Sequence, residues 1–240
     1  MLPRNHANCN AYSYCDVEYW DDRYVKHSGC FDWYQRYSSL RSLLRIYFPS
    51  YSSPLLVVGC GNALMSEDMV KDGYEEIMNI DTSLVAIEMM KRRHATIAQL
   101  KYMQLDVKDM KCFADKSFFG VIDKGTFDSL MCGCDSSENV SQMLGEVSRI
   151  LKPGGIYMMI TYGDPGARMP HLNLPVYNWE TVVYNMPAKP ECTRNDGNLT
   201  ADFRPKIIPM KKSGLLPSDF ALKDPNSHYI YVCRKMGDAL

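Results

Sequence analysis

The sequence predicts an α/β domain: a mostly parallel seven-stranded sheet, helices on both faces and an antiparallel hairpin at one edge. Three observations lead there. Short apolar runs and helix-compatible stretches succeed one another across five strands, the pattern of right-handed crossovers on a parallel sheet. The first run, Leu55 to Val58, ends in Gly59-Cys60-Gly61, and the second ends at Asp81. Two further runs late in the chain, Tyr177 to Tyr184 and His228 to Cys233, flank a proline-rich stretch and suit an edge hairpin.

In chain order, residues 1–15 are polar and aperiodic and are expected to form a flexible arm ahead of a domain spanning 16–240. Val17, Tyr19, Trp20, Arg23 and Tyr24 fit a short helix on which Trp20 and Tyr24, four apart, share a face. Phe31-Asp32-Trp33-Tyr34 adds aromatics, and Leu40, Leu43, Leu44, Tyr47 and Phe48 recur at helical spacing until Pro49. Two roles suit Trp20, Tyr24 and Trp33: cover for a sheet edge, or a lid over a cationic ligand attracted to the ring faces.

The run before Gly59 and Gly61 reads as a buried parallel strand entering a tight turn, with a helix over Ala63 to Lys71. Nucleotides bind at such carboxyl strand ends. Asp81 closes the strand Glu76 to Ile80, ahead of a helix over Ser83 to His94. It is placed either to accept ribose hydroxyls or to cap that helix. Asp106 follows the strand Lys101 to Leu105 and has the same two readings, adenine contact or cap. The strand Phe118 to Asp123 leads into Lys124-Gly125-Thr126-Phe127-Asp128, where Lys124 is expected near the ligand. Asp128 either helps an acceptor enter or stands in the first turn of a helix.

A helix over Asn139 to Leu151 stops at Lys152-Pro153-Gly154-Gly155, and the fifth strand runs from Ile156 to Thr161. Tyr162 leaves it on the ligand side. Residues 186–225, rich in proline and poor in periodicity, read as a surface insert. Lys206, Lys211 and Lys212 within it suit a solvated face better than a docking patch.

Net charge is −1, so no basic field favours nucleic acid or anionic lipid. No apolar run is long enough to span a bilayer and none precedes Asp16, which points to a soluble, cytoplasmic protein, monomeric by default. The nine cysteines are irregularly spaced and read as free thiols, and Cys132-Gly133-Cys134 lacks a second pair to complete a metal site.

Val57-Val58-Gly59-Cys60-Gly61-Asn62, Asp81, Leu105-Asp106-Val107 and Leu151-Lys152-Pro153-Gly154-Gly155 together resemble the motifs of the class I S-adenosylmethionine-dependent methyltransferases, whose domain is Rossmann-like. Glu18 to Tyr24, Phe31 to Tyr34 and Asp123 to Asp128 are similar to segments of the group that contains the eukaryotic elongation factor 1A lysine methyltransferases. The resemblance implies S-adenosyl-L-methionine as cofactor and S-adenosyl-L-homocysteine as product. It implies that Trp20, Tyr24 and Trp33 close over the cofactor, that Gly59 and Gly61 face it, and that Asp81 and Thr82 sit at the ribose. Asp106 and Val107 would lie at the adenine and Lys124 near the methionine portion. Thr82 departs from the aromatic that relatives often carry there.

The acceptor implied is a protein lysine, with a translation elongation factor as the candidate partner; from their place at the strand ends, Asp128 and Tyr162 are the rim candidates for orienting the amine. Three alternatives stand beside it: a small-molecule methyltransferase, a non-catalytic binding module and a nicotinamide-dependent oxidoreductase. The last is weakened because Asn62-Ala63-Leu64 leaves the third glycine of G-x-G-x-x-G missing.

Overall fold

A computed structural model describes residues 14–186, 191–195, 198–202, 205–210, 216–217 and 226–237. The expected arm therefore lies almost wholly outside the described residues, as does much of the insert. Five parallel strands form the first half of the sheet: β1 (Leu55–Val58), β2 (Ile77–Asp81), β3 (Leu100–Gln104), β4 (Phe118–Lys124) and β5 (Leu151–Thr161). They are joined by β6 (Trp179–Met186), β9 (Lys206–Ile208) and β10 (His228–Lys235), while β7 (Glu191–Asn195) and β8 (Asn198–Asp202) pair only with each other.

The main sheet has eight strands in the order β3-β2-β1-β4-β5-β10-β6-β9, which corrects the expected seven. Strand β10 does pair with β6, as expected, but it also pairs antiparallel with β5 and so lies inside the sheet. The antiparallel edge is β9 on β6, a three-residue strand too short to leave a periodic signal. Within the insert, then, the chain forms strands as well as loop. The helix expected over Asn139 to Leu151 runs over Ser136–Ile150, and β5 begins at once at Leu151. Pro153 to Gly155 are absorbed in β5, where the register to β4 shifts between Phe118 and Gly120.

Continuous apolar runs become strands here because both faces are covered. In β1, Leu56 and Val58 enter one core and Leu55 and Val57 the other. The first core packs against α5 (Thr126–Leu130), α6 (Ser136–Ile150) and α7 (Pro165–Leu172). The second packs against α2 (Tyr37–Tyr47), α3 (Met65–Lys71) and α4 (Leu84–Arg93). The helix α1 (Val17–Lys26) buries only Tyr24, so it is held by contacts at one end of the sheet rather than by a core face. Among the described residues no helix is long and apolar enough to cross a membrane.

Candidate active site

A cavity of about 330 Å³ opens at the carboxyl ends of β1, β2 and β4. Its floor is the turn after β1. Gly59 and Gly61 both have left-handed backbones, with φ of 57° and 51°. A Cβ on Gly59 would collide with the Thr126 hydroxyl, and one on Gly61 would lie 2.5 Å from the Tyr24 hydroxyl. Asp81 braces this turn from the end of β2: one carboxylate oxygen accepts the Gly61 amide at 2.8 Å and the other the Ser83 amide at 2.8 Å. Burial raises its pKa to about 6, opposed by those two N–H bonds and reinforced by Asp21.

The roof is the segment from Tyr14 to Gln35, fastened to the strand ends by polar contacts. Asp21 accepts the Ser83 hydroxyl, and Ser83 in turn caps α4 through the Ala86 amide at 3.1 Å. The Asn62 amide donates to the Gly29 carbonyl at 2.7 Å. Lys124 donates to Asp32 at 3.0 Å and to the Trp33 carbonyl at 3.1 Å. Burial lowers the Lys124 pKa, and Asp32 opposes that shift. Within the roof, Trp20 stacks on Tyr24 at 5.9 Å and meets Trp33 edge-on at 6.3 Å. The Arg23 guanidinium sits 5.3 Å from the Trp33 ring centre, so that ring already serves one cation.

All ten residues expected at the cofactor (Trp20, Tyr24, Trp33, Gly59, Gly61, Asp81, Thr82, Asp106, Val107 and Lys124) line this one cavity. Lys124 lines it with its ammonium turned to the roof. Asp106 is turned to its own loop, accepting the Lys108 amide at 2.9 Å, while Val107 is buried.

Asp128 also lines the cavity, but its carboxylate is fully engaged. Oδ1 accepts from the Thr161 hydroxyl and, at 2.7 Å, from Arg168; Oδ2 accepts from the Tyr34 hydroxyl at 2.7 Å and the Tyr162 amide at 3.2 Å. Four donors fill the four acceptor directions of a carboxylate. Tyr162 itself is not among the lining residues; it is 53% exposed, and its ring lies 6.2 Å from that of His228. Two residues that sequence reasoning passed over complete this region. Tyr34 lines the cavity, and Asp123 anchors α5 from beneath, accepting the Thr126 amide at 2.8 Å and the Tyr157 hydroxyl at 2.9 Å. Tyr34 stood in a noted aromatic cluster, whereas nothing local to Asp123 betrays a carboxyl buried at 0% exposure.

The chain is 33% identical over 178 residues to the EEF1A lysine methyltransferase 4 of Mus musculus, covering 70% of this chain and 69% of that protein. It belongs to the class I S-adenosylmethionine-dependent methyltransferases, close to the eEF1A lysine methyltransferases. This methyltransferase also matches a methyltransferase-domain family over residues 56–159. It is 37% identical over 150 residues to the human eEF1A lysine and N-terminal methyltransferase, covering 60% of this chain but only 21% of that longer protein. Among solved structures, a S-adenosylmethionine-dependent methyltransferase from Methanosarcina mazei aligns with a TM-score of 0.50 at 13% identity, covering 82% of this chain and 98% of that one. A structure determined for thioacetal formation in echinomycin biosynthesis aligns at 0.61 and 14% identity, covering 92% of each chain.

The enzyme binds S-adenosylmethionine and transfers its methyl group, releasing S-adenosylhomocysteine, which sets aside the oxidoreductase and non-catalytic readings. The cavity fits that cofactor: it offers ring faces for a cation, a buried carboxylate at a strand end, and a floor that carries no side chain at Gly59 or Gly61.

Proposed function

We propose that the acceptor is a protein lysine amine, with elongation factor eEF1A as the candidate substrate. The observation that carries this reading is the family relationship to enzymes named for eEF1A lysines, joined to a polar cluster that extends the cavity at Asp128. A net charge of −1 supports a protein rather than a nucleic-acid partner, and a monomer acting in the cytoplasm is the simplest setting.

When bound, S-adenosylmethionine supplies an electrophilic methyl group on a sulfonium. The chain's own residues have three tasks. Trp20, Tyr24 and Trp33 exclude water and favour a cation; Gly59 and Gly61 let the ligand approach the backbone; Asp81, with one amide on each oxygen, keeps acceptor capacity for ribose hydroxyls. Thr82 stands beside Asp81 at the ribose, Asp106 and Val107 form the adenine side, and Lys124 holds the roof shut through Asp32. At the acceptor end Asp128 acts by position, holding Tyr34 and the Tyr162 backbone in place rather than touching the amine, and exposed Tyr162 forms the outer rim. A lysine must be neutral to attack, and a desolvated slot lowers its pKa. Alignment alone supplies on the order of 7 kcal/mol of the barrier in well-oriented reactions, and no covalent enzyme nucleophile is needed.

The insert supports a macromolecular acceptor by where it is rooted. Met186 and His228 are paired neighbours, and Lys206 pairs with Asn185, so the segment between them leaves and rejoins the sheet at the end that carries the cavity. The test is to incubate the enzyme with methyl-labelled cofactor and purified eEF1A, then with cell extract, and to map the label by peptide mass spectrometry. Methyl-lysine on protein is expected; label confined to small molecules or to protein N-termini would overturn the lysine assignment.

A further inference from the structure

Consecutive residues of the roof serve two ends of the cavity. Trp33 packs among the lid aromatics, and its carbonyl receives both Lys124 and, at 2.7 Å, the amide of Gln35. Between them Tyr34 is forced into the left-handed region with φ of 60°, a conformation that costs a bulky residue free energy and persists only where neighbours enforce it. The Tyr34 ring keeps contact with the lid at Trp33, 6.1 Å between ring centres, while its tip extends to the other end of the cavity. Its hydroxyl reaches Asp128 at 2.7 Å, and its ring lies 5.1 Å from that of His228, the residue at which the chain returns from the insert. The next residue, Gln35, bonds His228 Nδ1 at 3.0 Å.

We propose that Tyr34 is a positioning residue through which closure of the cofactor lid completes the acceptor end of the site. With the roof down, the phenol donates a hydrogen bond to Asp128 Oδ2, the same oxygen that receives the Tyr162 amide. With the roof lifted, Asp128 loses one of its four donors, and the Tyr162 backbone that shares Oδ2 loses its fixed partner. Cofactor binding beneath Trp33 therefore orders Tyr162, a residue outside the cavity lining, and the acceptor end forms after the cofactor end. This rests on placing the acceptor at Asp128.

Hydrogen exchange with and without S-adenosylhomocysteine, in wild type and Tyr34→Phe, reads the link directly. In wild type the ligand is expected to slow exchange about tenfold both in residues 31–36 and in residues 162–168. In Y34F, which keeps the ring and loses the donor, slowing is expected in 31–36 alone. Slowing in 162–168 that persists in Y34F, or its absence from wild type, overturns the proposal. No acceptor is present, so the outcome is independent of whether lysine is the right substrate. In turnover with eEF1A, Y34F is expected to raise the acceptor KM about tenfold while changing cofactor affinity less than threefold; equal losses in both would mark Tyr34 as merely structural.

Discussion

The Lys124 ammonium leaves the end of β4 to meet Asp32 in the roof at 3.0 Å, with 7% and 15% of the two side chains exposed. A strand that builds the cavity floor thus grips the segment that covers it. Removing one partner of such a pair strands the other charge in a poorly solvated place, which costs more than the pair contributes. Lys124→Met is expected to weaken S-adenosylhomocysteine binding at least tenfold by calorimetry, and limited proteolysis is expected to find new cuts near residues 27–33. Unchanged affinity would mean that the roof is held by Asn62 and Asp21 alone.

As the proposed ribose acceptor, Asp81 is expected to make cofactor binding depend on pH. Its folded pKa of about 6 lies above the ordinary carboxylate value, and only the ionised form serves as a pure acceptor for ribose hydroxyls. Affinity for S-adenosylhomocysteine is expected to rise about tenfold from pH 5 to pH 7, the ratio of ionised fractions for such a pKa. In Asp81→Asn the rise should vanish and affinity should be low throughout. A wild-type profile flat across that range would place the ribose elsewhere.

Stability of the ligand-free enzyme depends on pH in the opposite sense. Asp81 and Asp123 bind protons more tightly folded than unfolded, with folded values of about 6 and about 7, both set first by burial. The stability they contribute is fully present below the unfolded carboxylate pKa and is lost as pH rises through 6 and 7. Melting temperature of wild type minus that of Asp123→Asn is therefore expected to fall between pH 5 and pH 8. A difference that stays flat over that range would show that Asp123 is held ionised by its Thr126, Phe127 and Tyr157 donors.

The glycine floor separates space from strain. Gly61→Ala meets both a left-handed backbone, costing about 1–2 kcal/mol, and the Tyr24 hydroxyl. It is expected to lower cofactor affinity more than tenfold. Gly29→Ala, at a position with open space and no positive φ, should leave affinity within twofold.

Arg168 closes the Asp128 cluster, donating at 2.7 Å while its guanidinium lies 5.3 Å from the Phe127 ring centre. Arg168→Ala removes a charge-assisted bond from a nearly buried carboxylate, at a cost of about 2 kcal/mol. In a domain of this size that corresponds to a melting temperature lower by roughly 4–8 °C. Cofactor affinity should hold, because no cofactor-cavity contact is lost. A variant that melts like wild type would show that Thr161, Tyr34 and Tyr162 suffice to hold Asp128.

The parallel half of the fold was legible because β1, β2 and β4 are largely apolar runs that lead to Gly59, Asp81 or Lys124 at the ligand end, and the more polar β3 still leads to Asp106. Those same ends hold seven of the ten cofactor candidates, and Trp20, Tyr24 and Trp33 were legible as an aromatic-rich stretch ahead of the first strand. What the sequence hid is set by partners far along the chain. Nothing in His228 to Cys233 says that the strand sits between β5 and β6, since antiparallel pairing order leaves no period. Helix α5 has five residues and α7 contains Pro170, so neither offers a clear repeat. Asp128 has the right address but, with four donors on it, a different occupation from the one its position suggests.

The adjacency of Met186 and His228 has a consequence for how such enzymes diversify. Neighbouring strands lie about 4.8 Å apart, so whatever polypeptide bridges those two residues starts and finishes one strand width from itself. Lineages can lengthen, shorten or trade that bridge without re-registering a single strand of β1 to β5. A change of length there leaves the pairing of the five strands that carry the cavity as it is.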